Sequence, residues 1–217
     1  MFNNTLSKSL ALLAAGLVFM LALPAHADAV SDRVAVLQHG WASSYYQVPA
    51  AQKEASFETL AASAAALSTE FPARAEPKVW EAIILSSAAK FQGGLGALDK
   101  IKRAKTLLES AEKIDATVLD GSVYTSLGSL YAKSPGWPLA FGDKKRAAAY
   151  LQKALAANPD GIDPNFFYGE LLIDQGKKAE GITYLNKALA APARPGREDA
   201  DAGRRIEIRE ALAKLKS

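Results

Sequence analysis

Two stretches of this chain are almost the same and lie 34 residues apart. Ala149–Ala157 reads AYLQKALAA, and Thr183–Ala191 reads TYLNKALAA. Self-similarity with a period of roughly 20 to 50 residues is typical of solenoid proteins, in which a small unit is repeated and each copy packs on its neighbours. We therefore expect the chain to form a stack of like units.

The pattern inside each repeat is helical. Small, large and small side chains recur at positions i, i+4 and i+7, which lie on one face of an α-helix. They are Ala147, Leu151 and Ala154 in the first copy and Gly181, Leu185 and Ala188 in the second. No segment alternates polar and apolar residues with period two, and Ala and Leu are abundant, so we predict an all-α fold without a sheet.

Prolines, glycines and helix-capping residues divide the chain into helical hairpins. Asp143 and Asp163 are expected to be N-caps, and seven extra residues of one hairpin are expected in a loop at Ser134–Asp143, which contains two prolines and two glycines. The predicted fold is a solenoid of three to four hairpins with a capping helix. Its units are expected at 30–72 (degenerate), 76–116, 120–159, 162–192 and, for the capping helix, 197–216.

The last segment predicts an amphipathic helix that covers the open side of the final hairpin. Its apolar face consists of Ile208, Ala211, Leu212 and Leu215. Five arginines in and before it could bind an anionic partner, but acidic residues alternate with them, so a self-neutralised, solvated face is the prediction. These arginines are Arg194, Arg197, Arg204, Arg205 and Arg209.

The N-terminal residues 1–27 have the pattern of a secretory signal peptide. Lys8 precedes an apolar run, Leu10–Leu23, which is shorter than the ~20 residues of a membrane-spanning helix. Ala25-His26-Ala27 is a small-x-small cleavage signal. We expect cleavage after Ala27, no membrane anchor in the mature chain and a periplasmic location.

Few active-site chemistries fit this composition. The chain has no cysteine, which excludes disulfides and thiolate chemistry, and His39 is the one histidine outside the signal peptide. Ser87-Ala88-Ala89-Lys90 matches a serine–lysine pattern but lacks its companion motifs. The 26 basic residues exceed the 23 acidic ones only narrowly, which does not favour nucleic-acid binding. We predict no enzyme activity, no metal and no cofactor.

With these residues in hand, the chain resembles tetratricopeptide repeat proteins over Val34–Pro192. Tyr168, Gly169 and Leu185 stand where that consensus has them, and Gly181 replaces its usual Ala. The stretches GSVYTSLGSLYAKSPGWPLAFGDKKRA and NPDGIDPNFFYGELL are similar to exported bacterial repeat proteins of unassigned activity. A more distant likeness is to the periplasmic repeat component of tripartite substrate-binding transporters.

The resemblance implies binding, because the first helices of successive hairpins line a groove in that superfamily. Its repeat register implies seven groove positions: Glu81, Leu85, Thr125, Ser129, Phe166, Glu170 and Ile173. These are not the Lys and Asn residues that grip acidic tails, so a protein or peptide segment is the expected partner. A small-molecule or transporter-associated binding component is the alternative. The oligomeric state stays open.

The loop between the helices of the 120–159 hairpin carries two large aromatic residues, Trp137 and Phe141. One interpretation is that they form a contact patch for a partner. The other is that Trp137 plugs the lengthened hairpin. The sequence leaves both open.

Overall fold

The computed structural model describes residues 24–215, and within that range the fold is all-α, as predicted, with nine α-helices and no strand. Residues 1–23 of the expected signal peptide lie outside it. The helices are α1 Pro24–Ala42, α2 Lys53–Glu70, α3 Ala75–Gln92, α4 Gly94–Ile114, α5 Val118–Lys133, α6 Lys144–Ala157, α7 Ile162–Asp174, α8 Lys178–Leu189 and α9 Glu198–Lys214. A π-helical turn, Ser43–Gln47, and a 3-10 turn, Ala50–Gln52, connect α1 to α2. None of the helices in the described range is long and apolar enough to cross a membrane.

Helices that follow each other pack as antiparallel neighbours, most extensively α3 with α4, α5 with α6, and α7 with α8. The repeated small and large side chains explain why. Leu151 is fully buried, and a Cβ atom built on Gly128 would lie 2.6 Å from its Cγ. In the next hairpin, a Cβ on Gly169 would lie 3.0 Å from the carbonyl oxygen of Gly181. These glycines let paired helices approach closely, which confirms the helical solenoid.

The helix starts follow the sequence in one hairpin and depart from it in the next. Asp143 caps α6 as predicted, since its Oδ1 accepts the backbone N–H groups of Lys145 at 2.8 Å and Arg146 at 3.0 Å. At α7 the cap position is Gly161, with no side-chain cap hydrogen bond. Asp163 lies inside the first turn, and its carboxylate accepts hydrogen bonds from Arg194 and Arg204, so its predicted capping role is wrong.

The final helix packs in two directions. Its C-terminal half places Ile208 and the partly buried Leu212 and Leu215 against the core of the last hairpin, around Leu185, as the sequence predicted for a cap. Its N-terminal half continues past that hairpin and reaches the other end of the solenoid.

Contacts between α9 and the N-terminal elements are close. A Cβ built on Gly203 would clash with the Tyr46 ring, so no larger residue fits there without a shift. At the surface, His39 Nδ1 lies 2.9 Å from Asp199 Oδ2. No pattern in the sequence predicts this return, which joins the two ends of the described chain into a closed arrangement.

Candidate functional site

The first helices of the three clear hairpins, α3, α5 and α7, surround a cavity of about 670 Å³ with α9 along its remaining side. We call this cavity the chamber. Trp41 and Tyr45 close the end nearest the N-terminus. Its volume is in the range of roughly 300–1,000 Å³ that is typical of ligand pockets in proteins. The helices that the sequence assigned to a binding groove therefore line a deep, partly open pocket.

Four of the seven groove residues expected from the repeat register line this chamber. Thr125 and Ser129 come from α5, and Phe166 and Glu170 come from the corresponding turns of α7. The offset between these pairs is 41 residues, because α5 and α7 carry the same repeat position on the same face. Phe166 is almost completely buried and Glu170 pairs with Lys133 at 3.2 Å.

The other three expected groove residues do not line the chamber. Glu81 is 1% exposed and accepts hydrogen bonds from Arg103 of α4 at 2.6 and 2.9 Å. Leu85 belongs to the main hydrophobic core, and Ile173 packs at Gly181, where an added Cβ would lie 2.5 Å from its Cγ1. The register expected on α3 is wrong because that helix is turned so that Glu81 faces α4.

The residues that α3 does present to the chamber were not predicted from the sequence. They are Trp80, Ile83, Ser86, Ser87, Ala89 and Lys90. Ile83, Ser86 and Ser87 precede the lining residues Ser122, Thr125 and Ser126 of α5 by 39 residues each. The spacing of 39 residues between equivalent positions of α3 and α5 is therefore clear only from the structure, which shows the face of each helix that lines the chamber.

A network of ion pairs fixes α9 along the chamber. Asp163 of α7 accepts hydrogen bonds from Arg194 Nη1 at 2.8 Å and from Arg204 Nε at 2.9 Å. Arg204 also donates to Glu207 at 2.6 Å, and the Tyr46 hydroxyl donates to the same carboxylate at 3.0 Å. The chain of contacts thus joins the last hairpin, α9 and the π-helical turn.

Burial strengthens these interactions and shifts the ionisation of their members. Burial alone would raise the pKa of Asp163, but Arg204 and Arg194 outweigh it and hold that pKa well below its ordinary value. Burial raises the pKa of the Tyr46 phenol, which keeps it neutral as a hydrogen-bond donor. The arginine-rich tail is therefore neutralised in part by Asp163, a residue of another repeat, and Arg204 is only 9% exposed, in contrast to the solvated face that the sequence predicted.

An aromatic row forms the N-terminal wall of the chamber. Tyr45 stacks on Trp41 with ring centroids 5.1 Å apart, and Trp41 meets Trp80 edge-on at 6.4 Å. A cation lies over each end of the row. Lys90 Nζ is 4.8 Å from the Tyr45 ring, and Arg197 Cζ is 4.9 Å from the Trp80 ring. Cation–π contacts of this length stabilise a positive charge at an aromatic face.

The aromatic residues of the loop are not part of the chamber lining, although Ser134 and Pro135 at the start of the same loop are. Trp137 is 89% exposed, which excludes the interpretation that it plugs the hairpin. Phe141 packs edge-on against Tyr131 at 5.5 Å, so it is the member of the pair that holds the loop to the solenoid. Trp137 remains a surface residue available to a partner.

The comparisons with known proteins agree with this architecture. Residues 139–197, which include α6, α7 and α8, match the family model for the tetratricopeptide repeat. The structure is similar to that of a thermophilic tetratricopeptide repeat protein of Thermus thermophilus, with a TM-score of 0.56 and 15% sequence identity, over 85% of this chain and 99% of the other. None of the curated proteins matches in sequence. Residues 139–197 thus resemble the tetratricopeptide repeat in sequence, and the described residues share the fold of a tetratricopeptide repeat protein.

Proposed function

We propose that this protein is a non-enzymatic periplasmic scaffold that holds a short segment of a partner protein in the chamber. Tetratricopeptide repeat folds serve generally as protein-interaction scaffolds. The observation that carries the proposal is the enclosure of the inner face, because α9 converts an open groove into a pocket of about 670 Å³.

The lining suits a peptide segment. Ser126 and Ser129 of α5 and the rings of Phe166 and Phe167 of α7 all line the chamber. Hydroxyls both donate and accept hydrogen bonds, so they can satisfy the amide groups of a peptide while the rings accept an apolar side chain. A mainly apolar lining with a few placed polar groups is the general composition of a binding pocket.

Obstruction of the chamber tests this proposal. Ser126→Trp adds a bulky side chain to the lining, whereas Ser63→Trp makes the same change on an exposed position of α2. In cross-linking within the native periplasm, we expect the Ser126→Trp variant to lose the partner that the wild type and the Ser63→Trp variant both capture. Capture by all three proteins to the same extent would refute partner binding in the chamber.

The location is tested separately from the site. N-terminal sequencing of the protein recovered from a periplasmic fraction is expected to begin at Asp28. A protein that retains Met1 and stays with the cytosolic fraction would refute both the signal peptide and the periplasmic scaffold.

A small-molecule or transporter-associated binding component is the second candidate. The closure of the chamber by α9 favours it, since an enclosed pocket is the usual geometry of a small-ligand site. A thermal-shift screen against metabolites separates the two candidates, because a ligand that binds only the folded state raises the unfolding temperature.

A further inference from the structure

We propose that the chamber binds a carboxylate group at Arg197 and Trp80, with the apolar body of the ligand against the aromatic row of Trp80, Trp41 and Tyr45. The inference rests on the proposed function, in that it names the chemistry which the same chamber recognises.

More cationic than carboxylate side chains line the chamber. Five cationic and three carboxylate side chains line it: Lys90, Lys133, Arg194, Arg197 and Arg204 against Asp163, Glu170 and Glu207. All three carboxylates have partners within the described residues, namely Arg194 and Arg204 for Asp163, Lys133 for Glu170, and Arg204 for Glu207. In the part of the chain that the structure describes, Lys90 and Arg197 are the lining cations without an ion pair, and both lie over the aromatic row.

Arg197 differs from the arginines beside it. Arg194 binds Asp163 and Asp201, and Arg204 binds Asp163 and Glu207. The Arg197 Nε atom is buried and has no hydrogen-bond partner in the described structure. Burial and the charge of Arg194 lower the pKa of Arg197, and they outweigh the nearby carboxylates of Asp163, Asp201 and Asp199, which act to raise it. A buried N–H group without an acceptor is unfavourable, and an incoming anion that accepts from Nε would relieve this condition.

A second unsatisfied donor lies next to this guanidinium. Trp80 is 3% exposed and lines the chamber, and its indole Nε1 has no acceptor among residues 24–215. The neighbouring Trp41 shows the ordinary situation, since its Nε1 donates to Ser87 Oγ at 2.8 Å. Nearly all buried polar groups in folded proteins are hydrogen-bonded, so two unmet donors on side chains in contact at one wall of a pocket indicate a missing acceptor.

The shape and charge of these donors select the class of ligand. A guanidinium presents several N–H groups in one plane and matches the two oxygens of a carboxylate. An indole N–H only donates, so it discriminates against a donor group at the same place. The row from Trp80 to Tyr45 then offers apolar surface to the rest of the ligand. Such a carboxylate belongs either to the free C-terminus of a peptide or to an organic acid.

Calorimetric titration of the mature chain tests the inference with matched pairs of probes. The first pair is 3-phenylpropionate and 3-phenylpropanamide, and the second is N-acetyl-Ala-Ala-Phe with a free or an amidated C-terminus. We expect at least one carboxylate to bind about tenfold or more tightly than its amide, equivalent to about 1.4 kcal/mol. Tighter binding of the peptide acid identifies a chain end, and binding of the small acid alone identifies an organic acid.

Variants assign the effect to the named donors. Arg197→Gln is expected to abolish the preference for the carboxylate, and Arg197→Lys to retain part of it. Trp80→Phe keeps an aromatic ring but removes the N–H, and should weaken carboxylate binding several-fold. Arg209→Gln, at an exposed arginine of α9, is the control and should bind as the wild type does.

Equal affinity for acid and amide in the wild type would overturn the inference without any variant. So would an unchanged preference in a folded Arg197→Gln protein. Loss of partner capture by Ser126→Trp together with no carboxylate preference would remove this inference and leave the proposed function standing. Carboxylate binding by the wild type, together with undiminished partner capture by Ser126→Trp, would refute the proposed function and leave this inference standing.

Discussion

Asp163 is the residue on which the docking of α9 most depends, and Asp163→Asn is expected to destabilise the fold. Its carboxylate holds Arg194 and Arg204 at 2.8 and 2.9 Å. Asparagine has the same shape but no charge, so the substitution removes the attraction and leaves both guanidiniums in place. Arg204 is only 9% exposed, and water therefore replaces the lost partner incompletely.

The size of the stability loss in Asp163→Asn follows from the burial of this ion-pair network. Removal of one partner from a buried ion pair costs roughly 3–5 kcal/mol because a desolvated charge remains. Asp163 itself is 23% exposed, and each arginine keeps a second carboxylate, Asp201 or Glu207. The lower end, about 3 kcal/mol, is therefore the expected loss. For a chain of this size each 1 kcal/mol lowers the unfolding temperature by roughly 2–4 °C, which gives a decrease of about 6–12 °C.

Urea unfolding followed by circular dichroism measures the loss, and Asp160→Asn is its control. Asp160 lies three residues away and pairs with Lys187 at 3.5 Å, but it is 76% exposed. Exposed pairs contribute only about 0–1 kcal/mol, so this variant should unfold nearly as the wild type does. Equal unfolding midpoints for the two variants would refute the reasoning.

The stability difference between the wild type and Asp163→Asn should also depend on pH. The two arginines hold the pKa of Asp163 well below its ordinary value in the folded state. A carboxylate with a lowered pKa stabilises the fold above its unfolded pKa of about 3.9, and this contribution is lost as the pH falls towards the folded value. The difference between wild type and Asp163→Asn is therefore expected to be full at about pH 7 and to shrink below about pH 4. A constant difference down to about pH 2 would contradict the assignment.

Three further predictions concern the repeat packing and the loop, all measured as urea unfolding midpoints. Gly181→Ala restores the superfamily's usual residue but is expected to cost about 1–3 kcal/mol, because the new Cβ would lie 2.8 Å from the Gly169 carbonyl oxygen; a stabilised variant would contradict this. Leu151→Ala removes a fully buried side chain and should cost about 2–5 kcal/mol, so a loss below about 1 kcal/mol would count against the packing. Trp137→Ser changes an exposed side chain and should alter stability by less than about 0.5 kcal/mol; a larger loss would mean that the loop is packed.

The features that could be predicted from the sequence are those determined by residues close together in the chain. Leu151 and Leu185 marked the repeated helical face, and the Asp143 cap could be read from its own position, because both features are settled within one hairpin. Thr125 and Phe166, which the repeat register placed on one inner face, both line the chamber, since the two helices share one repeat position.

The closure and the unpaired guanidinium could not be predicted. The hydrogen bond from Tyr46 to Glu207 joins residues 161 positions apart, and no local pattern encodes such a contact. The tail showed arginines among carboxylates, but which arginine stays without a partner depends on Asp163, a residue of another hairpin. The lining of α3 was missed because the orientation of Glu81 towards α4 follows from packing.

Site-directed cross-linking tests most directly whether α9 returns to α1 and closes one side of the chamber. The chain has no native cysteine, so the double variant His39→Cys with Asp199→Cys places a reporter at a contact of 2.9 Å. We predict that a short bismaleimide joins this pair rapidly within one molecule. The two cysteines of His39→Cys with Glu210→Cys are not expected to be joined to each other. If both pairs cross-link at the same slow rate, or only between molecules, the ends of the solenoid do not meet.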